Sequence, residues 1–173
     1  MMSKPDVTID LTVEIDHGQL YIYSVAPWAH DRQNDAVERA LRDARRSGRW
    51  VGVADGLIDL VVPFRKSFDA PMRVEMWSEP APADDENWDH VVDVDFDIVD
   101  GDVVFEPSGG FEPIRCEEPL PRGAYRARIS GRGYAEAVSG AVGMDSYRIR
   151  LWPRTEATSP ELRKSWSGWS AEA

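Results

Sequence analysis

The sequence predicts a mainly β fold, an antiparallel two-sheet sandwich with one α-helix at about residues 35–47. Two observations lead there. Eight to ten short segments alternate apolar and polar residues and are separated by turn signals at hairpin-like spacing. Only one segment carries a convincing helical stripe. Runs of strands without interleaved helices favour packed antiparallel sheets over a βαβ arrangement.

Residues 7–15, VTIDLTVEI, alternate as a strand and stop at His17-Gly18. Residues 19–25, QLYIYSV, form a second strand that is apolar on both faces, as expected of a central position. In 35–47, DAVERALRDARRS, Val37, Ala40, Leu41 and Ala44 fall at helical spacing. Asn34 or Asp35 suits the N-cap, Arg45 and Arg46 suit the dipole of the last turn, and Gly48 suits the C′ stop. Residues 50–63 read as two short strands around the Ala54-Asp55-Gly56 turn, and 72–77 as another strand. Residues 79–88, EPAPADDENW, are an acidic, Pro-rich loop. Strands at 124–130 and 146–152, with a short helix at 134–139 between them, complete the pattern.

The stretch DVDFDIVDGDVVFE, residues 93–106, is the most unusual. Asp100-Gly101 is a strong signal for a two-residue hairpin, because a type I′ turn requires φ > 0 at both central positions. That turn would place Phe96 opposite Phe105 and Asp95 opposite Glu106. Asp93, Asp95, Asp97 and Glu106 would then share a water-facing side. The like-charged Asp95–Glu106 pair disfavours the pairing modestly. An EF-hand does not fit: in a loop starting at Asp93, Ile98 takes the place of the obligatory glycine and Val104 that of the terminal glutamate.

Length and composition narrow the function classes. The 173 residues suit one domain, here expected over 1–153, followed by a polar, flexible tail over 154–173 in which Trp166 and Trp169 could dock. The single cysteine, Cys116, excludes an internal disulfide and reads as a buried, inert thiol. No apolar run is long enough for a membrane helix and no apolar leader is evident, so a cytoplasmic protein is expected. The net charge of −11 is localised: residues 79–118 hold fourteen acidic residues against one arginine, whereas 122–173 are net basic. An acidic face excludes nucleic acid as its direct partner and suits a basic protein or a cation.

Catalysis is not expected. His17, His30 and His90 make no paired metal pattern, and Ser130-Gly131-Arg132-Gly133 is not a phosphate loop. Carboxylates on a water-facing strand lack the burial that tunes an acid–base pair. No cofactor and no resident metal are indicated. The candidate partner-binding residues are Asp89, Asp93, Asp95, Asp97 and Glu106. A row of carboxylates at i, i+2 and i+4 on a strand, spaced by roughly 6.5–7 Å, could imitate a run of negative charge. The alternative is a module for a small ligand or calcium at the 79–89 loop, with Asp84, Asp85, Glu86 and Asp89 as ligands.

Three features occur in a common order: the Gly18-Gln19-aromatic strand, the Ala54-Asp55-Gly56 turn and the Leu120-Pro121-Arg122-Gly123-x-Tyr125 turn into a strand. With the helix and acidic segment between them, residues 8–152 resemble the competence protein J (ComJ) family. This chain departs from it by a longer 131–146 segment and the Trp-bearing end. The resemblance implies a protein partner, a nuclease held in check by a non-enzymatic inhibitor.

Overall fold

The computed structural model describes residues 3–110, 112–140 and 144–171. Among these residues eleven strands lie in two sheets, as the mainly β reading requires. The chain is organised as two compact units, one of residues 1–12, 69–96 and 124–173, the other of 13–68 and 97–123.

The first unit is built on a six-stranded sheet: β1 (Val7–Ile15), β5 (Phe68–Met76), β10 (Ser146–Pro153), β9 (Gly123–Arg132), β6 (His90–Ile98) and β11 (Glu161–Lys164), in that spatial order. The antiparallel expectation holds for β9–β10 and β6–β11, but β5 and β10 run parallel. Alternation gives this sheet two different faces. Val74, Ile149 and Ile129 are aligned across three strands, flanked by Met72, Tyr147, Met76 and Leu151, and all are buried. The intervening residues are Glu75, Arg150, Arg128 and their neighbours. Before β6 the chain makes a 3₁₀ turn at Asp85–Asn87, and after β9 it forms α2 (Tyr134–Val138).

Residues 154–173, expected as a polar tail, contain strand β11 and a 3₁₀ turn at Ser167–Ala171. Trp169 is buried there. It contacts Trp166, Tyr134 and His90 edge-on, and His90 Nδ1 accepts a hydrogen bond from the Trp166 amide at 3.1 Å. His90 is thus packed into an aromatic cluster with Tyr134 and Trp169.

The second unit is a five-stranded antiparallel sheet in the order β3 (Val51–Ala54), β4 (Leu57–Val61), β2 (Gln19–Tyr23), β7 (Val104–Pro107), β8 (Ile114–Arg115). β2 is interior, which accounts for its two apolar faces. The β3–β4 turn follows the sequence, with Asp55 and Gly56 both at positive φ (50° and 81°). Helix α1 (Ala36–Ser47) packs Ala36 and Ala40 against Tyr21, Tyr23, Leu57 and Val104. Asn34 Oδ1 accepts from the Ala36 amide at 2.7 Å, and Gly48 terminates the helix in the left-handed region at φ 71°. The helix lies so close to β3 that a Cβ on Gly52 would run into the Ala40 backbone carbonyl.

The expected hairpin across Asp100-Gly101 does not form. β6 pairs in the first sheet and β7 pairs with β2 and β8 in the second, so Phe96 does not face Phe105 and Asp95 does not face Glu106. The Asp-Gly pair still turns the chain, with Gly101 at φ 88°. Asp100 Oδ1 accepts hydrogen bonds from Ser24 Oγ (2.9 Å) and the Asp102 amide (3.1 Å), an Asx-type turn in place of a tight hairpin. Among the described residues, no helix is long and apolar enough to cross a membrane.

Candidate functional site: the charged face of the six-stranded sheet

The acidic segment meets the basic one on the first unit's charged face. Arg128 on β9 donates from Nε and Nη2 to the two oxygens of Asp93 on β6, at 2.8 and 3.0 Å, with both residues buried. One step along, Arg126 donates to Asp95 at 2.9 Å and to the Thr158 and Ser159 carbonyls. Arg150 on β10 reaches Glu75 on β5 at 3.1 Å. Arg148 holds Asp84 with two bonds, at 2.6 and 2.8 Å, and Arg163 of β11 reaches Asp85 at 3.1 Å. Strand spacing creates this ladder: Asp93-x-Asp95 lies beside Arg126-x-Arg128, and successive i, i+2 residues share a face. The matched period sets Arg126 against Asp95 and gives Asp93 the guanidinium fork of Arg128, the geometry in which such pairs are strongest.

Indole rings cover the cations. The guanidinium of Arg128 lies 5.1 Å from the Trp152 ring centre and that of Arg150 lies 4.9 Å from Trp77. Trp88 is flanked by Arg132 at 4.4 Å and Arg148 at 4.5 Å. These contacts add cation–π attraction to the ion pairs. At Asp84, burial pushes the carboxyl up, but the hydrogen bond and charge of Arg148, with Arg150 beyond it, prevail and leave its pKa below the usual value.

The five candidate residues of the acidic segment therefore separate. Asp93 is 4% exposed, so the water-facing strand expected from the sequence is a buried ion-pair face at this position. Asp95 is held by Arg126, and Asp89 accepts from the Tyr134 amide at 3.1 Å. Glu106 lies in the other sheet, beside Tyr21, and accepts from the Tyr23 hydroxyl at 2.9 Å. Only Asp97 of the five is exposed. The calcium alternative loses its ligands to the same arginines: Asp84 and Asp85 are ion-paired, and among the described residues no group of three or more His, Cys, Asp or Glu is placed to hold a metal. Cys116 is buried, and burial with the nearby Asp102 charge pushes its thiol up to about 11, away from reactive thiolate.

One chemically unusual residue escaped motif reasoning. Asp59, in the middle of β4, is fully buried, and among the described residues neither carboxylate oxygen has a hydrogen-bond partner. It aligns with Tyr21 on one side and Gly52 on the other. Burial raises its pKa to about 8, with the charge of Arg45 pulling weakly the other way. Its sequence signal is a lone aspartate inside the apolar run LIDLVV. The arginine ladder had a signal too, the R-x-R spacing of β9 and β10.

No family model and no curated protein matches the chain. Two solved structures do. The crystal structure of ComJ, inhibitor of the DNA degrading activity of NucA, from Bacillus subtilis, is similar over 89% of this chain and 100% of that one, with a TM-score of 0.51 and 17% identity. Crocagin biosynthetic gene J is similar over 90% of this chain and 100% of that one, with a TM-score of 0.56 and 17% identity. The fold is thus ComJ-like, in agreement with the resemblance carried by the turn motifs. At such identity the likeness concerns architecture, and the two neighbours themselves carry different descriptions.

Proposed function

We propose that this chain is a non-enzymatic protein-binding protein of inhibitor type, with a basic nuclease as its partner. The observation that carries the reading is the ComJ-like fold, which spans nearly the whole chain and the whole of an inhibitor. Charge supports it in a revised place. The ladder engages Asp84, Asp85, Asp93 and Asp95 internally, and the acidic surface we propose for the partner is on the second unit. There Asp97, Asp100, Glu117 and Glu118 are exposed. A hydrogen bond from the Leu120 amide to the Gly101 carbonyl, 2.8 Å, brings the 97–102 and 117–118 segments into one neighbourhood. Of the five residues proposed from the sequence, Asp97 and Glu106 remain as contacts. Asp89, Asp93 and Asp95 contribute by holding the scaffold. A site built to attract phosphate is complementary to such a surface, which would raise association rate and specificity.

The test is affinity capture from the source cell's lysate at low and at high salt, with identification of the captured proteins by mass. A basic nuclease is expected at low salt, and less of it at high salt because surface charge is screened. The purified pair should then show suppressed DNA degradation. Joint replacement Asp97→Asn, Glu117→Gln and Glu118→Gln should weaken capture about tenfold or more while leaving the melting temperature near wild type. Equal capture by the variant would defeat the placement of the surface, and failure to retain any basic nuclease would defeat the inhibitor reading.

A further inference from the structure

A groove of about 560 Å³ opens on the charged side of the first unit, between β1, β5 and β10 and the 84–88 loop. That volume lies in the range of small-molecule sites. The groove carries three arginines, Arg73, Arg132 and Arg148, and three carboxylates, Asp10, Glu75 and Asp84. The charges do not pair evenly. Arg148 is committed to Asp84 and Arg73 to Asp10, while Glu75 is committed to Arg150, outside the lining. Arg132 is left with no carboxylate partner among the described residues.

Arg132 is nevertheless held in place. Its guanidinium stacks on Trp88, and its Nε donates to Ser146 Oγ at 3.2 Å. Among the described residues neither terminal nitrogen is engaged, and Arg132 is exposed. A planar fork fixed by stacking and one hydrogen bond, with two parallel donors unused, is pre-organised for a bidentate acceptor. A second observation also points to a ligand. Arg148 is 8% exposed and lines the same groove, and its Nε is buried without a hydrogen-bond partner. Buried charged donors are seldom left unmade, because each costs free energy unless something accepts from it.

We infer that this groove binds a small organic carboxylate, with Arg132 as the bidentate anchor. One uncompensated cation matches one negative charge. A phosphate dianion would overshoot that charge beside the carboxylates of Asp10, Glu75 and Asp84. Pro71, exposed on the same face of β5 as Arg73, offers an apolar contact to the body behind the acid group. The inference rests on the first unit alone and stands whether or not a nuclease is the partner.

The experiment follows the arginine Nε–Hε and backbone amide NMR signals of the full chain while hippurate, succinate and inorganic phosphate are titrated in separately. Hippurate is expected to shift the Arg132 signal saturably in the millimolar range or tighter. Arg132→Gln should weaken that binding at least tenfold, and Arg132→Lys should recover part of it, since lysine keeps the charge but loses the fork. Arg122→Gln removes an exposed arginine outside the groove and should bind as wild type. Because Arg132 is at the surface, its variants should keep the wild-type melting temperature. No saturable shift with either carboxylate would overturn the inference. So would equal weakening by Arg122→Gln, or saturation by phosphate alone.

Discussion

The two units bury a carboxylate in opposite ways. In the six-stranded sheet, Asp93 lies under the surface with both oxygens held by the fork of Arg128. In the five-stranded sheet, Asp59 is more deeply buried and has no hydrogen-bond partner. The first arrangement sets a counter-charge and two donors against the buried carboxylate. The second lets the group keep its proton, at a pKa of about 8. Burial alone therefore says little about a carboxylate. What decides its state is whether a strand of matching period places a cation opposite it.

The largest effect should come from breaking the paired case. Arg128→Ala leaves Asp93 buried with only Arg163, 3.8 Å away, to offset its charge. Removing one partner of a buried pair costs about 3–5 kcal/mol, and the residual cation places this site near the lower end. Replacing both, as Arg128→Met with Asp93→Val, should cost less than the single change. Urea denaturation of the three proteins checks this, and a double variant as unstable as the single one would show that the pair itself, and not the stranded charge, carries the stability.

Gly52→Ala breaks the unpaired case from outside. The new Cβ meets the Ala40 carbonyl, so α1 must move off the sheet that contains Asp59. Overpacking against backbone should cost about 2–3 kcal/mol. If the shift admits water to Asp59, the carboxyl pKa falls towards its ordinary value, and the variant's stability should depend less on pH than that of the wild type.

How far each arrangement could be read from the sequence follows from the range of its interactions. The β3–β4 turn, the limits of α1 and the interior place of β2 depend on neighbours a few residues apart, and all appear in the structure as expected. The pairing of β6 depends on Arg126 and Arg128, more than thirty residues later. Asp-Gly made a nearer partner, β7, look sufficient. The like-charged Asp95–Glu106 opposition was the local sign that this pairing was wrong, since the native pairing gives each of the two residues a donor. For the candidate site, the acidic composition was legible but its neutralisation was not. Counting charge along the chain cannot show which carboxylates meet arginines across a sheet.

Asp59→Asn should stabilise the protein, and by an amount that grows with pH. The folded-state pKa is raised, so the unfolded chain releases this proton near the ordinary carboxylate value and the folded chain only near 8. Over that interval the folded state binds more protons, and stability from this residue is lost as pH rises. The amide has no such term. At pH 8 the gain should be about 1–3 kcal/mol, the scale of an unsatisfied buried polar group. It should shrink towards pH 5. Asp84 provides the opposite sign: with its pKa lowered, its pairing stabilises at neutral pH and fades as pH falls through the acid range. Denaturation curves at pH 3, 5, 6.5 and 8 separate the two residues, Asp84 in the lowest interval and Asp59 in the upper ones, and a pH-independent gain from Asp59→Asn would mean that Asp59 is hydrated in solution.

The smallest effect isolates burial from pairing. Arg73 and Asp10 make the same two-pronged contact as Arg128 and Asp93, at 2.8 and 3.2 Å, but the two side chains are 52% and 67% exposed. The hydrogen bond from Arg73 holds the Asp10 carboxyl below its usual pKa, against a small opposing push from burial. Water and salt screen the attraction, and neither ion is left stranded when the other is removed. Asp10→Asn should therefore change stability by less than about 1 kcal/mol. The change should fall further as salt is raised. Chemically the two pairs are alike, so the gap between this variant and Arg128→Ala measures what the sheet interior adds. If Asp10→Asn proved as costly as Arg128→Ala, the contrast between buried and exposed charge would fail, and the fork geometry alone would have to account for the ladder.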